Sequence, residues 1–396
     1  MKINVNKTLW LLFNLLIFAG WCVFSGFYVA GNYPPDTNVW LAILILAAIF
    51  VAVRIVVNIL CQIGQAALIK FLGLKVNYFE AAFFIWRFDG ERGRVKIGGG
   101  LSTLWSGTVY PRIKGSLDSA AGYAKNAAKY GKVFLGAPSA GALILFAVIV
   151  YMATKLILKL PLEPISLAVA VAAWYALYNA LTEDYKRRGG FLTYLKYKSD
   201  GEARLLGIAS QGLVEMPDRF ILDEAQKLIQ YRIGVGLEVW NRQTFNILSY
   251  IALTDALNEY ALAPELKDFI YAELLTYESL IGKDPQVYHM AVGRSRMFIC
   301  ARLVAGEVET ARSALNVYAR LAKEIGLRDT SYNIYFADMN QILNEKDADT
   351  LSSTDLLFRD PYGRLFKGYR EFIERADDAA HQTLFRFLDE HQISEN

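Results

Sequence analysis

The chain has 396 residues, of which 54% are hydrophobic, and its mean hydropathy is +0.24. This composition excludes an ordinary soluble protein and predicts membrane spans joined to a soluble part. The net charge of +3 is too small to indicate a nucleic-acid partner, and the three cysteines are too far apart to indicate a disulfide framework or a zinc knuckle.

The first predicted element is an apolar segment from Thr8 to Pro35, which carries no charged residue. It is too long for a cleavable signal peptide and a second apolar segment follows at once, so residues 1–36 are predicted to form the first span and its exit. Three further spans are predicted at about 38–69, 133–154 and 164–182, and the only charged residue in them is Arg54. Each segment is long enough to cross a hydrocarbon core of about 30 Å.

The loops predict the orientation of these spans. The segment from Lys70 to Lys132 carries eleven basic and four acidic residues, whereas the linker at 31–38 carries no Lys or Arg. The positive-inside rule therefore places both termini and the long loop in the cytoplasm, with basic side chains facing anionic lipid. Short loops and the absence of sorting signals favour a bacterial plasma membrane.

Between the second and third spans, residues 75–113 are rich in β-branched and aromatic residues and are interrupted by glycine. This pattern predicts short strands, with a hairpin turn at 89–94. The run Gly98-Gly99-Gly100 lacks the Lys-Ser/Thr of a phosphate-binding loop, so it is interpreted as a tight strand end near the membrane surface. Residues 116–132 are rich in small residues and are predicted to form a helix at the membrane interface.

Beyond residue 200, charged residues become frequent and apolar residues recur with helical periodicity. Residues 200–396 are therefore predicted to form a cytoplasmic α-helical interaction domain. Small residues such as Ala311, Ala314 and Ala319 give it a loose resemblance to tetratricopeptide-type repeats, whose helical surfaces bind protein partners. His289 and His381 are interpreted as surface or core residues. The predicted fold class is mainly α: a polytopic bundle of about four spans, a small β-rich membrane-associated loop, and this helical domain.

Three short motifs occur in order along residues 37–197. The second span ends in Cys-Gln-Ile-Gly-Gln at 61–65, followed by Leu-Gly-Leu-Lys-Val at 72–76. The third span opens with a segment containing Pro138 and Gly141, and Asn179 ends the fourth span ahead of Gly189-Gly190. Their order and spacing resemble the site-2 protease family of intramembrane zinc metalloproteases. In that family the first motif is H-E-x-x-H and the last supplies an aspartate ligand.

The resemblance places Cys61, Gln62, Gln65 and Arg188 at the zinc-ligand and general-base positions. Peptide hydrolysis of this kind needs imidazole and carboxylate ligands and a Glu that activates water. An amide cannot act as that base, and an arginine repels a metal cation. The resemblance therefore implies an inactive relative with no catalytic residues, no zinc and no other cofactor. We predict that Cys61, Gln62 and Gln65 lie near Asn179 and Arg188 in space.

The predicted function is that of a pseudoprotease that binds a membrane-embedded or hydrophobic peptide or protein and acts as a regulator, chaperone or adaptor. The expected binding residues are Cys61, Gln62, Gln65, Asn179, Arg188, Gly98, Gly99 and Gly100. The β-rich loop would hold the partner by strand addition, and the helical domain would bind a cytoplasmic protein. Three alternatives stay open: amides that only join helices through hydrogen bonds, an unorthodox membrane hydrolase using Cys61 or the soluble half, and a structural subunit of a transport or secretion complex.

Overall fold

The computed structural model describes residues 5–32, 34, 38–82, 84–89, 92–97, 107–112, 115, 117–181, 190–212, 218–237, 239–274, 285–326, 330–357 and 367–395. The chain is mainly helical and divides into two compact units. We call Met1–Arg112 with Lys125–Gly201 the membrane unit, and Ile113–Ala124 with Glu202–Asn396 the helical unit.

The membrane unit contains six helices that the structure describes: α1 (Val5–Asn32), α2 (Val39–Phe71), α3 (Ala120–Val133, which begins in the helical unit), α4 (Gly136–Ile157), α5 (Pro164–Leu181) and α6 (Gly190–Ser199). The ends of α2 follow from local chemistry. The Asn38 side chain accepts a hydrogen bond from the Leu41 amide at 3.2 Å, which caps the first turn. Gly73, with φ of +74°, provides the left-handed residue that lets the chain leave the helix.

Within the described ranges, two helical stretches are long and apolar enough to cross a membrane, Val39–Phe71 and Ala120–Ile157. The second stretch runs through α3 and α4. Two shorter apolar helical stretches, Ala19–Gly31 and Pro164–Tyr178, fall below that length. The exposed surface of α2 is apolar, with Trp40 82% exposed and Leu44 68% exposed. Such continuous exposed apolar surface is unusual for a protein in water and suits a helix in lipid.

A four-stranded antiparallel sheet lies within the segment that was predicted to form strands. Its strands are β1 (Val76–Ala81), β2 (Phe84–Asp89), β3 (Arg92–Ile97) and β4 (Gly107–Pro111), in the spatial order β3-β2-β1-β4. Asp89 pairs with Arg92, so the predicted hairpin turn connects β2 to β3; Gly90 and Glu91 lie outside the described residues. The fourth strand pairs with β1, with a register shift between Val76 and Tyr78. Among the strands that the structure describes, no strand pairs with the other edge of β4, which we call the open edge.

The helical unit is built from ten described helices: α7 (Gly201–Gly212), α8 (Arg219–Gly234), α9 (Arg242–Ala256), α10 (Pro264–Phe269, continued by a π-helical turn at Ile270–Leu274), α11 (Pro285–Val292), α12 (Ser295–Val304), α13 (Val308–Glu324), α14 (Thr330–Asn344), α15 (Ala348–Ser353) and α16 (Lys367–Glu395). Helices α9 and α12 form its centre, where Phe245 and Phe298 are fully buried. Ala311 and Ala314 lie on the buried face of α13, where small side chains allow close helix packing.

The helical unit also includes residues 113–124, which sequence analysis had grouped with the membrane core. Leu117 is fully buried, and the Tyr123 ring centroid lies 6.5 Å from that of Phe220 in α8.

The sequence predicts that His289 and His381 are surface or core residues of the helical unit. His289 is exposed, and the ring nitrogens of His381 lie 2.9 Å from the Asp377 carbonyl oxygen and 3.1 Å from that of Thr354.

Candidate functional site

A row of polar side chains runs along one side of α2. Arg54, Asn58, Gln62 and Gln65 are spaced by four, four and three residues, which keeps them on one helix face. We call these four residues the polar stripe. The rest of α2 is almost entirely apolar, so the stripe is the only face of this helix that offers several hydrogen-bonding groups.

Cys61 lies beside the polar stripe in the interface among α2, α4 and α5. It is 3% exposed and packs in a cluster with Val57, Ala172 and Ala173. Its Sγ lies 3.7 Å from the point that a Cβ on Gly141 would occupy, so the missing side chain of Gly141 brings α4 close to the thiol. Cys61 therefore acts as a small apolar core residue in this structure.

Gln62 contacts the first residue of β4. A Cβ built on Gly107 would lie 2.6 Å from the Glu80 carbonyl oxygen and 2.7 Å from Gln62 Cδ, so only glycine allows β4 to approach α2 this closely. Gln62 is 7% exposed, and among the residues that the structure describes its Oε1 has no hydrogen-bond partner. An unsatisfied buried amide oxygen is costly and indicates a group that is available to a ligand or a water.

Gln65 reaches the same strand one helical turn further on. Its Nε2 donates a hydrogen bond to the Val109 carbonyl oxygen at 3.1 Å. The Arg112 amide donates to the Lys75 carbonyl oxygen, just before β1, so the backbone of Arg112 faces β1. Backbone polar groups point to opposite sides of a strand at successive residues. The backbone groups of Val109 and Gly107 therefore point away from β1, towards the open edge of β4. The Gln65 side chain occupies that edge.

The helix α4 fixes the backbone of α2 at this point. A Cβ on Gly136 would lie 2.5 Å from Gln65 Cα, and a Cβ on Gly64 would collide with that of Ala140. The first turn of α4, which carries the segment around Pro138 that resembles a site-2 protease motif, therefore lies directly against residues 61–65. These close glycine contacts hold the two amides in register with β4.

The other residues predicted for the site are less fully described. Gly98, Gly99, Gly100 and Arg188 lie outside the described residues, and Asn179 lies in α5 without a described side chain. A Cβ built on Gly141 would lie 3.6 Å from the Leu177 amide nitrogen and 3.7 Å from Cys61 Sγ. The C-terminal half of α5 therefore lies beside Cys61, two residues before Asn179. The predicted proximity of Arg188 stays a prediction.

The side chains of Cys61, Gln62 and Gln65 do not fit a zinc ion. A buried thiol and two amides lack the imidazole and carboxylate ligands that zinc requires, and amides cannot activate water. Among the described residues, no group of three or more His, Cys, Asp or Glu side chains could hold a metal ion. The arrangement can instead donate and accept hydrogen bonds at a strand edge, which is the chemistry of peptide recognition.

Sequence reasoning identified Arg54 as a charge in the second span but missed Asn58, Gly107 and Val109. Asn58 continues the polar stripe, and the Arg54 guanidinium carbon lies 4.1 Å from the ring centroid of Tyr175 in α5. Gly107 and Val109 supply the strand edge. The spacing of Arg54, Asn58 and Gln62 was a legible signal for the stripe, but nothing local in the sequence shows that β4 lies against it.

No family model, curated protein or solved structure matches this chain. The function proposed below therefore depends on the chemistry of the described residues, together with the motif order in the sequence. The segment 61–65, the segment around Pro138 and the C-terminal half of α5 are adjacent in the membrane unit.

Proposed function

We propose that this chain is a non-catalytic membrane protein of the site-2 protease type, which binds a hydrophobic peptide or membrane protein where α2 meets the open edge of β4. The observation that carries the proposal is the hydrogen bond from Gln65 Nε2 to the outward-facing Val109 carbonyl oxygen, 3.1 Å long. A side-chain amide at that position makes the bond that the first residue of an added strand would make.

In the proposed mechanism, an extended segment of the partner displaces the Gln65 side chain and pairs with the backbone of Gly107 and Val109. The released Gln65 amide and the Gln62 amide then bind polar groups of the partner. Backbone pairing supplies affinity that does not depend on the partner's sequence, and the amides supply register. The protein would thereby act as a regulator, chaperone or adaptor, and the helical unit would bind a cytoplasmic protein.

The proposal includes a topology of four spans, α1, α2, α4 and α5, with both termini in the cytoplasm of a bacterial cell. Two of these spans are supported by length and composition. The charge distribution of the loops supports the orientation. Labelling of single cysteines introduced near position 34 and into the segment 113–116 with a membrane-impermeant reagent tests it: the first should react from outside the cell and the second should not.

A photo-crosslinking residue at position 110 tests the binding edge directly. Tyr110 lies in β4 and is 38% exposed, and Trp40, at the opposite end of α2 and 82% exposed, gives a matched control position. We expect position 110 to capture one protein or peptide, identified by mass spectrometry, that position 40 does not capture. Identical products at both positions, or none at position 110, would contradict the proposal.

Metal content separates this proposal from the hydrolase alternative. We expect the purified protein to carry no stoichiometric zinc, measured by plasma mass spectrometry after purification without chelators. A zinc site of sub-micromolar affinity that disappears on Cys61→Ser would instead favour an unorthodox enzyme. Stoichiometric co-purification of several membrane subunits in mild detergent, unaffected by changes at Gln62 and Gln65, would favour a structural subunit of a transport or secretion complex.

A further inference from the structure

Two buried polar atoms on the polar stripe have no hydrogen-bond partner among the described residues. One is Asn58 Nδ2, which is a donor, and the other is Gln62 Oε1, which is an acceptor. Gln62 is only 7% exposed, so water has little access to its amide. A buried donor and a buried acceptor that stay unpaired destabilise a fold, and their presence side by side therefore indicates a ligand that pairs with both.

The two amides lie one helical turn apart, at the part of the stripe nearest the sheet. Four residues separate them in sequence, so their Cα atoms are about 6 Å apart along the helix axis. A Cβ built on Gly107 would lie 2.7 Å from Gln62 Cδ, so the Gln62 amide lies against the first residue of β4. The unpaired atoms are thus adjacent to the open edge, where the proposed partner binds.

This pair of atoms selects a ligand group that both accepts and donates hydrogen bonds. A carboxylate only accepts, so it leaves Gln62 Oε1 facing another acceptor, and an ammonium only donates, so it leaves Asn58 Nδ2 facing another donor. A carboxamide offers its oxygen to Asn58 and its N–H to Gln62 from one planar group. Its oxygen and nitrogen are about 2.2 Å apart, and with a hydrogen bond of about 2.9 Å at each end it spans roughly one helical turn.

We infer that Asn58 and Gln62 form a binding site for the side-chain carboxamide of an Asn or Gln in the membrane segment of the partner. This inference rests on the proposed function, because it names the side chain by which the same partner is recognised. Amide side chains hydrogen-bond across membrane segments, where water does not compete for them. The partner is thereby defined as an apolar segment that carries an Asn or Gln.

The test uses synthetic single-span peptides of Leu and Ala that carry one guest residue, Asn, Ser or Leu, and an acceptor dye. The guest residue is moved through one heptad of consecutive positions, so that every face of the peptide is sampled. The full-length protein, in phosphatidylcholine vesicles, carries a donor dye on Lys70→Cys at the exposed end of α2. Cys22→Ala removes the one native thiol that is not buried.

At the best guest position, we expect the Asn peptide to bind at least about tenfold more tightly than the Leu peptide, equivalent to about 1.4 kcal/mol. The Ser peptide should bind within about threefold of the Leu peptide, because a single hydroxyl oxygen has to reach both amides at once. Energy transfer between the two dyes, measured as a function of the peptide-to-lipid ratio, gives these relative affinities.

Two variants each remove one of the two unpaired atoms and keep the approximate size of the side chain. Asn58→Leu and Gln62→Met should each lower the Asn-to-Leu affinity ratio at least about threefold. The thermal stability of the peptide-free protein should stay unchanged or rise in both, because each loses an unsatisfied buried group. Val56→Ala, on a part of α2 that is 53% exposed, should leave the ratio and the stability unchanged.

Equal binding of the Asn and Leu peptides to the wild type, equal binding of the Asn and Ser peptides, no binding of any peptide, or a ratio that survives both variants would overturn the inference. A marked fall in the thermal stability of both peptide-free variants would also overturn it, because it would show that the amides join helices within the chain. The crosslink at position 110 tests the proposed function separately. Capture at position 110 without a preference for Asn would refute the amide site alone.

Discussion

Each unit of the molecule packs an arginine against a tyrosine ring, and the residues around the two rings differ. In the helical unit, the Arg302 guanidinium carbon lies 4.3 Å from the Tyr271 ring centroid, and Arg302 donates to Glu307 Oε2 at 3.1 Å. The Tyr271 hydroxyl donates to the same carboxylate oxygen at 2.8 Å. In the membrane unit, Arg54 lies over Tyr175, and the predicted spans offer no carboxylate.

In the helical unit, the described contacts of the buried arginine include a carboxylate, which compensates its charge. Burial lowers the pKa of the Arg302 guanidinium, and Glu307 opposes that shift, so the pair keeps its charges inside the helical unit. Arg302, Glu307 and Tyr271 contact one another within this unit. In the polar stripe of α2, the buried atoms Asn58 Nδ2 and Gln62 Oε1 have no hydrogen-bond partner among the described residues.

The largest expected effect comes from removing the carboxylate that pairs with Arg302. Glu307→Ala leaves the 3%-exposed Arg302 side chain without its carboxylate, and we expect the free energy of unfolding of the helical unit to fall by about 2 to 3 kcal/mol. The exposed part of Glu307 keeps the loss below that of a fully buried pair. Limited proteolysis across a temperature series, with cleavage mapped to residues 202–396, measures it.

Glu309→Ala is the matched control for that experiment. The Glu309 side chain is 73% exposed and pairs with Arg312 on the surface of α13, so its removal should change the unfolding free energy by less than about 0.5 kcal/mol. Equal losses of unfolding free energy for the two variants would show that the pair of Arg302 and Glu307 contributes no more than an exposed ion pair.

The next largest effect is expected at Gly107, where β4 lies against α2. Gly107→Ala places a methyl group against the Glu80 carbonyl oxygen and the Gln62 side chain, so β4 must move away from α2. We expect a loss of about 1 to 2 kcal/mol, together with the loss of the crosslink at position 110. Gly20→Ala, whose Cβ would meet no atom within 4 Å, should change neither measurement.

Removing the edge hydrogen bond should have a smaller effect on stability than on binding. Gln65→Leu leaves the Val109 carbonyl without its side-chain donor, and we expect a loss of about 1 kcal/mol in thermal stability. Partner capture at position 110 should fall further, because the amide that sets the register is lost. Capture at the wild-type level by this variant would show that Gln65 takes no part in partner binding.

A smaller effect is expected from the buried thiol of the helical unit. Burial, with the nearby Asp377 carboxylate, raises the pKa of Cys300 well above its ordinary value. The unfolded thiol ionises first as pH rises, so its contribution to stability is fully present below about pH 8.5 and declines above it. At pH 9 we expect a loss of under about 1 kcal/mol, which Cys300→Ala should abolish. A pH dependence that is unchanged in Cys300→Ala would refute this assignment.

The smallest effect on stability is expected from replacing Arg54, in contrast to replacing Arg302. Arg54→Leu removes a costly charge from an apolar helix together with its contact on the Tyr175 ring, so the thermal stability of the purified full-length protein should stay within about 0.5 kcal/mol of the wild type or rise. Arg302→Leu should lower the stability of the helical unit, because it leaves the Glu307 and Tyr271 contacts unmade. A large loss for Arg54→Leu would show that Arg54 is a structural residue.

Local patterns in the sequence were sufficient for much of the architecture. The apolar run of 33 residues in α2, the periodic helices beyond residue 200 and the strands within 75–113 all depend on residues close together in the chain. The site positions Cys61, Gln62 and Gln65 could also be singled out, because polar groups in an apolar helix are conspicuous. A binding partner could not be identified in this way, because no local pattern in the sequence indicates one.

Only the tertiary structure decided what those positions face. The strand order β3-β2-β1-β4 places β4 beside β1 and not beside its neighbour in sequence, and this leaves the open edge against Gln62 and Gln65. The tertiary contacts also group residues 113–124 with the helical unit. Strand pairing and helix packing join residues that are far apart in the chain, so their outcome depends on close contacts such as Gly107 on Gln62, which no local periodicity records.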